Sequence, residues 1–385
     1  MERLTERLTI PIEHIKAGMV FSSGLYIDEQ NLLVPPRKPV KEKDIKRAHF
    51  WGLTHLYTNN GLQGLVKDEQ EKNDPTLEYH PAPNEKKVQE NYHMLLRRMD
   101  LLINQAIEKK PLESSRIQSL ATDLLSQMTA NGQEMIRLVH WGKSDCSRLA
   151  KKLINSAVLA AAIGTKMKMP NHTLMNLILS ALLYDIGMIK IDARICNKKD
   201  KLSDSEFSNI QKHLLYSYQF IKQMDFSEEI AQAVLYHHEN WDGSGYPKKI
   251  QAAQIPLLSQ ILAIVDSYTA MIHKRIYGTP LSGYKALKNI ISDNGQRFSP
   301  ELVSTLLKII GVYPLGSLVK LNNSSICMVL ELNEKALMRP RLTILKTYHH
   351  VNTGKSKILD LSKEKGLYIT SVIEPELLPQ LEYVS

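Results

Sequence analysis

The stretch Tyr236-His237-His238-Glu239-Asn240-Trp241-Asp242-Gly243-Ser244-Gly245-Tyr246-Pro247 gathers two adjacent imidazoles, a carboxylate and a glycine-rich turn. Imidazole and carboxylate together suit borderline divalent cations such as iron, zinc and manganese. One histidine at a helix end is ordinarily a hydrogen-bonded structural residue; two in succession before a turn ask for a further reason. Asp185, His213 and Asp266 each end or interrupt an otherwise apolar helical pattern. An ionised carboxylate on an apolar face is costly unless a cation or hydrogen bonds compensate it. Singly, each aspartate can cap or pair locally. As a set, Asp185, His213, His237, His238 and Asp266 form a physically sensible site for a divalent metal.

The elements that must position these groups are helices. Ile230, Val234 and Leu235 recur at helical spacing and deliver His237 and His238 to a helix end, after which Asp242-Gly243-Ser244-Gly245 and Pro247 turn the chain into an ordered loop. Residues 174–183 predict a buried helix that ends at Tyr184-Asp185-Ile186-Gly187, with Gly187 expected as a left-handed cap. Ser203-Asp204-Ser205-Glu206 is a capping box opening a helix on which Phe207, Ile210, Leu214 and Ile221 share a face with His213. A helix over 261–272 places Asp266 among Leu262, Val265, Thr269 and Ala270.

A chain of 385 residues can hold two or three domains, and its 43% hydrophobic content is that of a soluble protein. Short apolar pieces divided by Gly18, Gly24 and Pro35-Pro36 predict a small N-terminal α/β domain over 1–66, with a helix over 44–51. The polar composition that follows predicts a linker over 67–93. Helical repeats over 94–145 could connect the domains or line a homodimer seam, and the sequence leaves that choice open. A helical core is expected over 146–312 and a small β-rich region over 313–385. Cys146, Cys196 and Cys327 lie far apart, which fits a reducing cytosol and leaves any metal to nitrogen and oxygen donors. The N-terminus shows no apolar leader, and residues 174–189 are interrupted by polar groups, so a cytoplasmic chain without a membrane span is expected. The net charge of +9 is scattered in pairs such as Lys151-Lys152, Lys198-Lys199 and Lys248-Lys249, read as solvated surface, with no motif for a nucleic-acid polymer.

Over 146–314 the chain resembles the HD-GYP family of cyclic-dinucleotide phosphodiesterases, a branch of the HD superfamily. The resemblance rests on HHENWDGSGYP, on Ile264-Val265-Asp266-Ser267-Tyr268 and on Arg275-Ile276-Tyr277. It implies a mainly α fold: an HD-type helical bundle core, flanked by the small N-terminal α/β domain and the β-rich C-terminal appendage. The reaction it implies opens cyclic di-GMP to linear pGpG or GMP. By the same resemblance Arg275 approaches a ligand phosphate and Tyr277 belongs to the ligand-binding set, although Gly278 replaces a basic residue expected nearby. The resemblance likewise implies that Gly245, Tyr246 and Pro247 form a ligand-binding loop linked to recognition of substrate and signalling proteins.

The pattern departs from the family where it takes its name. The His-Asp doublet reads Tyr184-Asp185, a second histidine is replaced by Asn155, an acidic position carries Lys151, and the lysine expected near the scissile phosphate is Met188. Of the two metals implied, one keeps only Asp185 and Asp266, whereas the other keeps Asp185, His213, His237 and His238. The expectation is a degenerate member holding a single divalent metal (Fe, Mn or Zn), catalytically impaired, acting by binding a cyclic dinucleotide or a protein partner. An active phosphodiesterase on the reduced site, with Tyr184 as an oxygen ligand, is the alternative.

Overall fold

The chain divides into two units, Met1–Glu78 and Tyr79–Ser385. The computed structural model describes residues 8–26, 32–42, 44–45, 48, 54–58, 62–65, 83–142, 145–198, 200–273, 281–346 and 358–373. In the first unit β1 (Leu8–Pro11), β3 (Leu25–Tyr26), β4 (Leu32–Val34) and β5 (His55–Thr58) form an antiparallel sheet in the order β1-β5-β3-β4. A second pair joins β2 (Met19–Phe21) to β6 (Leu62–Leu65). Ile12, Ile15, Phe21, Leu25 and Leu56 form its core. The helix expected over 44–51 falls largely outside the described residues.

The second unit is a helical bundle with a β-sheet appended. Helix α1 (Pro83–Ile107) starts inside the segment expected to be linker. Proline is tolerated in a first helical turn, and Val88, Tyr92, Leu95, Leu96 and Met99 then recur at helical spacing and are buried. Helix α2 (Ser114–Trp141) follows, then α3 (Arg148–Lys166). Ser147 caps α3 by accepting a hydrogen bond from the Ala150 amide. The α3 residues from Leu153 to Gly164 are buried, and its alanines let neighbours approach closely. It is the central helix, packed by α1, α2, α4 (Asn171–Leu183), α7 (Leu257–Ile272) and α9 (Pro300–Ile310). Between α4 and α7 run α5 (Asp204–Gln223) and α6 (Glu228–Leu235); α8 (Gly283–Ser292) precedes α9. The capping box at Ser203 and Glu206 is present in both directions. The segment Asn171–Lys190 is long and apolar enough to cross a membrane, but two-thirds of it is buried inside the bundle, which accounts for its apolarity.

Gly187 is not a left-handed cap. It lies in the 3-10 turn Ile186–Lys190, and its φ is not among the positive ones. Glycine is required there by contact: a Cβ would fall 2.3 Å from the His213 carbonyl oxygen and 2.6 Å from the Ser217 amide nitrogen. The Gly187 amide donates to Ser217 Oγ at 2.8 Å, so the turn carrying Asp185 is fastened to the helix carrying His213.

The C-terminal strands β7 (Leu318–Leu321), β8 (Ile326–Glu331), β9 (Arg341–Lys346), β10 (Ile358–Asp360) and β11 (Ile369–Ile373) form an antiparallel sheet in the order β10-β9-β8-β7-β11. Strand β10 was not apparent in the sequence pattern. The stacked rings of Tyr284 and Tyr313, with centroids 5.8 Å apart, and the Lys166–Glu334 ion pair join the sheet to the bundle.

Candidate metal centre

Helix α6 ends at Leu235, and His237 and His238 follow immediately. His213 projects from the middle of α5, Asp185 from the end of α4 and Asp266 from α7. The ligand atoms of His213, His237 and His238 lie within 4.8 Å of one another, as a shared cation requires. Two of the rings have their tautomers fixed by the backbone. His213 Nδ1 donates to the Ile210 carbonyl at 2.6 Å and His237 Nδ1 to the Val234 carbonyl at 2.7 Å, because a carbonyl can only accept. In the neutral rings each Nε2 therefore presents a lone pair. Both Nε2 atoms are buried and make no hydrogen bond among the described residues.

They face Asp185 Oδ1, at 3.3 Å from His213 Nε2 and 3.9 Å from His237 Nε2. Lone pairs aimed at a carboxylate oxygen repel unless a positive charge lies between them, and a proton on Nε2 or a divalent cation supplies one. Burial pushes the His237 pKa down to about 4 and, with its neighbour His237, holds His238 well below the usual range. Both rings are thus kept in the neutral form that binds metal. Burial also opposes charge on His213, but the hydrogen bond and charge of Asp185 outweigh it and raise that pKa. The donor set fits a metal ion.

The other side of the site is arranged differently. Lys152 Nζ lies 2.5 Å from Asp185 Oδ2 and 2.6 Å from Asp266 Oδ1. Burial would raise the pKa of both aspartates, yet the Lys152 ammonium holds both below the carboxylate range. Lys152 is in turn held charged: burial disfavours the ammonium, but the two carboxylates outweigh it. Tyr184 OH donates to Asp266 Oδ1 at 3.0 Å, with Ser156 Oγ 3.1 Å away. Burial, then the Asp266 charge, pushes the phenol pKa well up, so Tyr184 is a neutral donor to Asp266. Asn155 accepts from Tyr92 OH at 2.6 Å and donates to the Val139 carbonyl and to His273 Nε2. Lys151 points elsewhere, donating to the Gly142 carbonyl at 2.6 Å.

These contacts revise the sequence reading. Asp266 does not join the histidine cluster; it is taken by Lys152 and Tyr184. The Lys151-Lys152 pair is not solvated surface, because Lys152 points into the site. The signal for Lys152 was its spacing: three and four residues before Asn155 and Ser156, it shares their helical face.

A cavity of about 400 Å³ opens beside His237 and His238. Its wall includes Phe207, Tyr246, Lys249, Ser267 and Arg297. Tyr246 stacks on His238 with ring centroids 4.9 Å apart, and Phe207 meets Tyr246 edge-on at 6.0 Å. Arg297 is steadied by Ser267 Oγ at 3.1 Å and Asp293 at 3.3 Å. The loop is clamped by Glu239, whose Oε1 accepts from the Lys248 and Lys249 amides at 2.6 and 3.0 Å. A Cβ on Gly245 would lie 2.3 Å from the Asn240 nitrogen, so only glycine passes there. Pro247 follows Tyr246 in this loop through a cis peptide bond. Arg297 and Lys249 were not singled out from sequence, since only the tertiary fold brings them to the cavity. Arg275 and Tyr277 lie outside the described residues, and Met188 sits in the 3-10 turn after Asp185.

A profile of the HD domain matches residues 116–302, the span that contains these groups and the HHENWDGSGYP loop. Residues 116–302 carry an HD domain. A KOW domain associated with HD domains matches residues 318–381, the span that contains the described C-terminal strands. The chain is 23% identical over 354 residues to the cyclic di-GMP phosphodiesterase PdeB of Borreliella burgdorferi, covering 88% of this chain and 92% of that one. It is 27% identical over 248 residues to a cyclic di-GMP phosphodiesterase of Pseudomonas aeruginosa, covering 63% and 59%. A solved structure described as an HDG"Y"P protein from Bdellovibrio bacteriovorus aligns at a TM-score of 0.49 and 15% identity, over 79% of this chain and 99% of that one.

Proposed function

We propose that this HD-GYP protein binds a cyclic dinucleotide, cyclic di-GMP first, beside a single divalent metal held by His213, His237 and His238, with little or no hydrolysis. The observation that carries the reading is the pair of buried, unpartnered Nε2 atoms on His213 and His237 next to a cavity of about 400 Å³. A bound divalent cation would supply Lewis-acid charge to a ligand phosphate. Tyr246 offers an aromatic face at the cavity wall, and Lys249 and Arg297 offer cationic groups suited to phosphate. Names of the relatives support cyclic di-GMP as the ligand. Impairment is supported by the engagement of Tyr184 and Asn155 in protein hydrogen bonds, which leaves no second set of nitrogen ligands. The clamped loop over 243–247 is the surface we assign to a signalling partner.

The test joins metal analysis, calorimetric binding and product analysis on the purified chain. About one metal per chain is expected, lost in His237→Ala together with dinucleotide affinity, and without accumulation of linear pGpG. Robust metal-dependent release of pGpG would overturn the impaired reading. Unchanged metal content in His237→Ala would overturn the site.

A further inference from the structure

We infer that Lys152 is a built-in cation that takes the place of a second metal: its ammonium lies between Asp185 and Asp266, neutralises them, and restricts the centre to one ion. The inference rests on the reading that the histidine cluster holds the one remaining metal.

Four observations converge on it. The ammonium is within 2.5 and 2.6 Å of one oxygen from each carboxylate, so it bridges the two as a cation ligated by both would. Asp185 is divided between the two halves of the site: Oδ2 meets Lys152, while Oδ1 faces the Nε2 atoms of His213 and His237. A carboxylate bridging two charges is thereby retained, with one of the charges supplied by the chain. The nitrogen ligands that the family resemblance assigns to the same ion are replaced by Asn155 and Tyr184, and neither offers a free donor atom there. Asn155 is consumed by Tyr92, Val139 and His273, and Tyr184 gives its proton to Asp266. Finally, the Lys152 ammonium lies 5.3 Å from the centroid of the Tyr184 ring, so the residue that replaced a ligand also faces the charge that replaced the metal. A divalent ion between Asp185 and Asp266 would have to share their oxygens with this ammonium, against like-charge repulsion.

A merely structural ion pair makes a different prediction from an occupying cation, and restored ligands separate them. In Asn155→His/Tyr184→His, with Lys152 retained, manganese content should stay at the wild-type value of about one per chain. Adding Lys152→Ala to that pair should raise it by about one more. A full extra manganese in the double variant, or no gain in the triple, overturns the inference. Should the triple variant fail to fold, crystals of the wild-type chain grown with manganese decide the matter by anomalous scattering. A peak among the histidines with none between Asp185 and Asp266 supports it, and a peak between the aspartates overturns it. If the wild type holds no metal at all, the histidine-site reading fails, while the gain from double to triple variant still reports on Lys152.

Discussion

The two halves of this centre treat buried polarity in opposite ways. On the α3 side, Asp185 and Asp266 share an ammonium, Tyr184 and Ser156 complete a hydrogen-bonded chain, and Asn155 has partners on three sides. On the α5–α6 side, the buried Nε2 atoms of His213 and His237 face Asp185 Oδ1 and make no hydrogen bond among the described residues. The first half is satisfied by its own residues, whereas the second holds the buried nitrogens on which the proposed metal rests. Similar donor types therefore do different things, and the deciding difference is one lysine on the central helix.

The comparison breaks most readily at Lys152. Replacing it with methionine leaves two buried carboxylates without a counter-charge, a loss expected to cost about 3–5 kcal/mol. Urea denaturation should show it as a lowered midpoint, and pairing the change with Asp266→Asn should recover part of the loss. A cost below about 1 kcal/mol would mean that the aspartates are not held by the ammonium.

Metal removal probes the other half. A chelator should destabilise the wild type by about 2.7 kcal/mol relative to metal at one hundred times its dissociation constant. The same treatment should leave His237→Ala unchanged, as read by the melting temperature. Equal responses would erase the distinction between the halves.

Acid should weaken the protein through histidines that ligate nothing. Burial lowers the pKa of His140 to about 4; burial, then the charges of Lys151 and Lys152, lower that of His273 to about 3. Each binds a proton more readily unfolded than folded, so stability is lost as pH falls through the unfolded value of about 6.5 and levels off near the folded one. About 2 kcal/mol per histidine should disappear between pH 7 and pH 5. Denaturation at the two pH values in the His140→Gln and His273→Gln variants would assign the loss.

Smaller effects sharpen the picture. Arg297→Ala should weaken cyclic di-GMP binding about tenfold by removing a charged phosphate donor, with metal content unaltered. Tyr184→Phe should cost about 1 kcal/mol for its hydrogen bond to Asp266, measurable by denaturation and without loss of metal.

The His237–His238 part of the histidine half was legible in the sequence because it is local: adjacent histidines, a helix ending before them and a glycine-rich turn after them lie within one short segment. Asp185, His213 and Asp266 could be placed on helices because apolar periodicity surrounds each one. The ammonium half was not legible, since a lysine pair at the start of an alanine-rich helix has the composition of a solvated face. Only packing of α3 against α4 and α7 turns Lys152 inward. For the same reason the start of α1 read as linker: its first turns are polar, and burial of Val88 and Tyr92 against the bundle sets the helix. Gly187 was identified as a special position for the wrong cause, because close contact with α5 and not backbone sign requires it.

The Glu239 clamp makes the loop a gauge of the centre. The Tyr246 amide donates to the His238 carbonyl at 3.1 Å, while its ring covers the same histidine. Opening that bond requires the loop to lift from His238, so hydrogen–deuterium exchange at this one amide follows the motion that exposes the histidines. A protein docking on the loop from outside and a ligand entering the cavity would both slow that exchange, and the one amide would register either event.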